Sequence, residues 1–190
     1  MNEADPRADS AKEALAPGTP APDWPRYSSR PFPSHRFVPG LTPRPRPAAD
    51  RRTGPSPGSW SPEAWRTLEP YLYGIDLYNF AYWWEAHEAL EELWHAAGRT
   101  TPHARFVQGI IHVSAANLNL HRGHLEAGRR QARRGALRLS PYFGRIWMGI
   151  DVDDFLRQVE RYAAGRAPRP ALIGLMAHDS VGRAAGMMKH

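Results

Sequence analysis

The feature that most constrains the fold is a stretch without any charged side chain, which runs from Phe106 to Leu120. Apolar residues cover most of a helical wheel drawn over this stretch, and a helix of that kind belongs in the centre of a bundle. The stretch is too short and too often interrupted by polar residues to span a bilayer. Since no segment shows a convincing strand pattern, we predict an all-α domain of about five helices packed around this central helix.

Local signals place the neighbouring helices along the chain. Ser61 before a proline predicts the start of a short first helix. A long helix is expected over about residues 75–97, because Gly98 is a typical helix stop. An arginine-rich helix follows the turn at Gly123, and acidic residues from Asp151 onward predict the start of a last helix.

The prolines divide the chain into three regions. Of 19 prolines, 15 lie at or before Pro70. Residues 1–59 are rich in Pro, Arg and Ala and show no apolar periodicity, which predicts a disordered tail. Residues 60–165 have the size of one helical bundle domain. Residues 166–190 are expected to be a tail that packs on the bundle or is partly disordered.

The composition excludes several kinds of chemistry. The chain has no cysteine, so disulfides and cysteine-bound zinc are excluded, and any metal must be held by nitrogen and oxygen ligands. The N-terminal residues never become an apolar stretch, which is untypical of a signal peptide. From these observations we expect a soluble, cytoplasmic protein that does not interact with membranes.

The net charge of +6 is unevenly distributed along the chain. Residues 60–97 carry one Asp and six Glu against one Arg, whereas residues 98–145 carry nine Arg against one Glu. The acidic and basic helices can face each other within one bundle or across two subunits. The pattern therefore makes a homodimer one expected assembly.

The run of residues 83–95 concentrates more reactive groups than any other part of the chain, with four carboxylates, two histidines and three tryptophans. On a helix, His87 and Glu91 are one turn apart, at the edge of the apolar face. In the charge-free helix, Gln108 and His112 begin a narrow polar stripe that continues to Asn119. We predict a polar centre in the bundle built from His87, Glu91, Gln108 and His112.

The run around His87, taken together with the Gln108-Gly109 step, resembles the small helical proteins grouped as domain of unknown function 309. The resemblance covers roughly residues 73–142. It implies an all-α domain of about five helices and a family without an established activity. The signature positions are His87, Glu88, Glu91, Trp94, Gln108 and Gly109. This chain departs from the pattern at His112, where the family often has a second glutamine.

The sharpest hypothesis for the cluster is a divalent metal site. The segment from His87 to Glu91 is a variant of the helical zinc motif, in which two ligands one turn apart flank a general base. His87 and Glu91 would bind the metal, His112 would be the third ligand, and Glu88 would be the catalytic base of a hydrolase. Two features oppose this hypothesis: glutamate replaces the second histidine of the usual motif, and Glu88 projects toward the solvated side.

Two other interpretations of the same residues stay open. In the first, His87 pairs with Glu91 and hydrogen-bonds to Gln108 or Asn119, which makes the cluster a structural network. In the second, aromatic walls and a few polar groups form a pocket for a small polar ligand. The lining would consist of Trp84, His87, Glu91, Trp94, Gln108 and His112.

A competing class of function is nucleic-acid binding through the arginine-rich helix. Clustered guanidinium groups attract phosphates, but no helix-turn-helix signature and no interleaved aromatic residues accompany them, so such binding would be unspecific. The residues concerned are Arg129, Arg130, Arg133, Arg134 and Arg138. Our leading prediction is a helical-bundle protein whose His/Glu/Gln cluster binds a small polar ligand or a divalent metal. Whether it is an enzyme is left open by the sequence.

Overall fold

The computed structural model describes residues 24–43 and 60–176. Within them, five α-helices form the bundle: α1 (Glu69–Asn79), α2 (Trp83–Ala96), α3 (Pro102–His121), α4 (Leu125–Leu139) and α5 (Val152–Ala163). Short 3-10 helices cover Pro62–Thr67 and Ser140–Tyr142. This architecture confirms the prediction of an all-α fold. In the described part of the chain, no helix is long and apolar enough to cross a membrane.

The charge-free helix α3 lies in the middle of the bundle, as predicted. It packs against α2 on one side and α4 on the other. The Thr101 hydroxyl caps its first turn by accepting a hydrogen bond from the backbone N–H of Ala104. Phe106, Val107 and Ile110 are fully buried, which is the burial expected from their position on the apolar wheel.

The long helix predicted over residues 75–97 is in fact two helices. Between α1 and α2 the backbone turns at Ala81, which has a φ of 62°. The N–H of Tyr82 bonds back to the carbonyl of Leu77, in the manner of a Schellman helix end. Glycine usually occupies the left-handed position of this motif, and here alanine does, so the sequence offered no stop signal.

A small β-hairpin joins α4 and α5, although no strand was predicted. Strands β1 (Ile146–Trp147) and β2 (Ile150–Asp151) pair antiparallel around Met148 and Gly149. Both turn residues have positive φ, as a two-residue hairpin turn of this kind requires. Two residues per strand are too few to show an alternating pattern in the sequence.

Residues 24–43 lie against the bundle and do not form part of a disordered tail, so the structure differs here from the prediction for residues 1–59. The carboxylate of Asp76, which is 0% exposed, accepts hydrogen bonds from the backbone N–H groups of Tyr27 and Ser28 and from Nε of Arg26, each 2.9 Å long. Further along, Glu85 accepts a bond from the N–H of Phe37. Residues 1–23 and 44–59 of the predicted tail lie outside the described residues.

Ala171 and Ile173, which follow α5, are buried against the bundle. For residues 166–190 as a whole, packing on the bundle or partial disorder stays a prediction. The side chain of Asn79, 1% exposed, makes two 2.8 Å hydrogen bonds to the backbone of Ile173. The hydroxyl of Tyr78 donates to the carbonyl of Ala171 at 2.9 Å. Residues 177–190 lie outside the described residues.

Candidate functional site

The cluster at His87 forms on one surface of α2. Donor atoms of His87, Glu88 and Glu91, one from each side chain, all lie within 4.8 Å of one another. Nδ1 of His87 is 3.9 Å from Oε2 of Glu91, which is too long for a hydrogen bond. Helical spacing alone brings the three groups together, because residues three and four apart are neighbours on a helix surface.

This cluster is not the polar centre inside the bundle that the sequence predicted. The side chains of His87 and Glu91 are 34% and 39% exposed, and Glu88 is exposed. Gln108 and His112 are half-buried on the adjacent strip of α3. The polar stripe of α3 therefore lies near the protein surface, between α2 and α4. The apolar side chains of α3 point into the interior instead.

The buried polar groups of α3 are different residues, which the sequence analysis did not single out. Ser114 is fully buried and donates a 2.8 Å hydrogen bond to the carbonyl of Trp83. Asn117 is 3% exposed and donates to the hydroxyl of Tyr78 at 3.2 Å. Each is satisfied within the core, as buried polar groups must be. Asn119, a predicted hydrogen-bond partner of His87, instead donates from its side-chain amide to the carbonyl of Ala115 in its own helix.

Trp84 and Trp94 have different surroundings. The Trp84 ring stacks near His87, with 6.4 Å between ring centroids, and meets Phe37 edge-on at 5.0 Å. It therefore forms one wall beside the cluster, and Phe37 of the N-terminal segment supports it. Trp94 donates to the carbonyl of Arg99 and packs near His95, so these contacts lie toward the end of α2.

His112 links α3 to α4 next to the cluster. Its Nδ1 donates a 3.0 Å hydrogen bond to Oε1 of Gln131. Burial is the main cause that lowers the pKa of His112. Arg138, Arg134 and His87 lower this pKa further by their positive charge, whereas the bond to Gln131 opposes the shift. A neutral ring that donates through Nδ1 keeps an unprotonated Nε2.

His112 is not among the residues whose donor atoms lie within 4.8 Å of one another. Glu88 is the third residue of the cluster, so the residue predicted to be the general base is a candidate metal ligand. The signal was present in the sequence, because Glu88 and Glu91 are three residues apart. The position of His112 relative to α2 depends on how the helices pack, which the sequence does not show.

The arginines predicted to bind nucleic acid are arranged around α4. Arg130, Arg133, Arg134 and Arg138 are exposed. Arg129 is engaged, since it pairs with Glu126 at 2.9 Å and donates from Nε to the carbonyl of Ala163 at 3.2 Å. The acidic α2 and the basic α4 both pack against the central helix α3.

Comparison with known proteins agrees with the resemblance seen in the sequence. Residues 71–138 match the family model described as Domain of unknown function (DUF309). The match begins in α1 and ends one residue before the end of α4, so it contains the His87 cluster, His112 and the arginine-rich face. No curated protein and no solved structure matches the chain.

Proposed function

We propose that this protein binds one divalent transition metal ion at His87, Glu88 and Glu91. The observation that carries the proposal is the 4.8 Å limit on the separation of their donor atoms. Ligands bound at about 2.0–2.2 Å from a shared ion stand roughly 3–4 Å apart, so small side-chain rotations bring the three groups to bonding distance. One imidazole and two carboxylates are suitable ligands for zinc, manganese or iron.

The rival interpretation, a structural network, has little support from the same geometry. His87 and Glu91 are partly exposed and 3.9 Å apart. Exposed ion pairs of this kind contribute about 0–1 kcal/mol to stability. A residue that contributes so little to folding can be substituted without unfolding the protein, so the metal proposal can be tested directly by mutation.

The surroundings of the cluster favour an anionic ligand for the bound metal. Three protein ligands leave coordination positions for water or a small molecule. The guanidinium groups of Arg134 and Arg138 lower the pKa of His112, so positive charge lies near the polar stripe of α3 that adjoins the cluster. The ligand class we propose is therefore a small polar anion. A metal-bound water is more acidic than bulk water, which makes hydrolysis the reaction to screen for.

Calorimetric titration of the metal-free protein with zinc and manganese chlorides tests the proposal. We expect about one bound ion per chain. Glu91→Gln removes one ligand charge while keeping the side-chain shape, so affinity should fall by about tenfold or more. Glu160→Gln, which neutralises an exposed carboxylate on α5, is the matched control and should bind metal as the wild type does. Equal affinity in wild type and Glu91→Gln would refute the assignment.

A further inference from the structure

A groove with a volume of about 860 Å³ lies between α4 and α5, away from the His87 cluster. The groove exists because α4 packs on α3 and α5 packs on α1, so the two helices do not close on each other. Gly128 and Gly135 bring α4 close to α3, while Phe155 fixes α5 against Tyr78 of α1, with 5.9 Å between ring centroids. Besides two arginines, α4 contributes Ala132 and Ala136 to the lining, and these alanines are too small to fill the gap.

The groove is long and its floor is apolar. Leu156 and Val159 of α5 complete the floor. The bond from Arg129 to Ala163 lies at one end, and Phe143, 56% exposed, lines the other. The lining contributed by α5 and its C-cap residue extends over residues 153–164, which correspond to about 16 Å of helix. A cavity of this volume is within the usual range for small ligands, and its length suits an extended chain.

The rim of the groove carries more positive than negative side chains, namely three arginines against Asp153 and Glu160. Two of the arginines are paired, Arg129 with Glu126 and Arg157 with Asp154. Arg133 is exposed and makes no hydrogen bond or ion pair with any residue that the structure describes. A guanidinium group beside an apolar channel can bind a carboxylate through two parallel hydrogen bonds.

We propose that this groove binds a single fatty acid. The hydrocarbon chain lies along the floor formed by Ala132, Ala136, Leu156 and Val159. The carboxylate pairs with Arg133 at the rim. The hydrocarbon chain would pack against these apolar side chains and leave water, which favours binding.

Titration of the full-length protein with dodecanoate below its micelle concentration tests this site. Wild type should bind one molecule per chain. Arg133→Glu should weaken binding by about tenfold or more, because it replaces the head-group partner with a like charge. Arg130→Glu makes the same change on the same helix at a residue outside the groove lining, and it should bind as the wild type does.

Ala136→Phe supplies an independent test, because the added ring fills the channel. We expect this variant to stay folded by circular dichroism and to lose dodecanoate binding. The proposal is overturned if wild type fails to bind. It is also overturned if Arg130→Glu weakens binding as much as Arg133→Glu, or if Ala136→Phe binds normally. Metal titration of the same variants should be unchanged, which separates this site from the His87 cluster.

Discussion

Replacing Asp76 with alanine should lower the free energy of unfolding by about 3–5 kcal/mol. The carboxylate is completely buried and accepts three hydrogen bonds from residues 26–28. Its removal leaves two backbone N–H groups without an acceptor and a partly exposed guanidinium without its counter-charge. Losing one partner of a buried hydrogen-bonded charge is costly because the remaining groups stay desolvated.

Urea denaturation measures this loss, and limited proteolysis shows where it acts. Cleavage within residues 24–43 should become faster in Asp76→Ala, because the segment loses three of its hydrogen bonds to α1. Glu160→Ala removes an exposed carboxylate and should change stability by no more than about 0.5 kcal/mol. If Asp76→Ala were as stable as Glu160→Ala, the assigned role of the carboxylate in holding this segment would be wrong.

Gly135→Val should destabilise the protein by about 3 kcal/mol or more. A Cβ at Gly135 would lie 2.9 Å from the carbonyl oxygen of Gly109 and 2.7 Å from a methyl group of Val113. A backbone oxygen cannot rotate away as a side chain can. The two helices must therefore separate, which disrupts the packing along α3 and α4.

Leu137→Val is the matched control for this prediction. Leu137 lies on the same helix, is 74% exposed, and the substitution introduces the same β-branched residue. Thermal or urea unfolding should show only a small change for Leu137→Val. Similar stability of the two variants would mean that α3 and α4 do not approach each other closely at Gly135.

The parts of the fold that could be predicted are those set by residues close together in the sequence, such as helical periodicity and helix caps. The wheel around Phe106 and Ile110 places α3 in the core, because a helix without charges must be buried on most sides. The stop at Gly98 and the cap at Asp151 agree with the observed ends to within two residues. The break at Ala81 was missed because alanine gives no signal for positive φ.

The order in residues 24–43 could not be predicted, because it depends on pairs far apart in sequence. Arg26 and Asp76 are 50 residues apart, and neither lies in a pattern that identifies its partner. A proline-rich segment without periodicity has the composition of a disordered tail. One buried carboxylate nevertheless satisfies two of its backbone N–H groups, and no local rule reveals that.

The candidate site was predictable only within one helix. His87, Glu88 and Glu91 come together through helical spacing, so the sequence singled them out. Their exposure, and the contact of His112 with Gln131, depend on how α2, α3 and α4 pack. The groove beside Arg133 depends on helix separation and had no sequence signal. Homodimer formation and nucleic-acid binding stay predictions.

Elemental analysis of untagged protein purified without chelator tests the central claim most directly, with His87→Ala prepared alongside. The proposal predicts near-stoichiometric zinc, manganese or iron in the wild type and its loss from His87→Ala. After chelation, the two metal-free proteins should differ only slightly in thermal stability, because the His87 side chain is 34% exposed. Wild type without metal, or equal metal content in both proteins, would contradict the assignment of His87, Glu88 and Glu91 as a metal site.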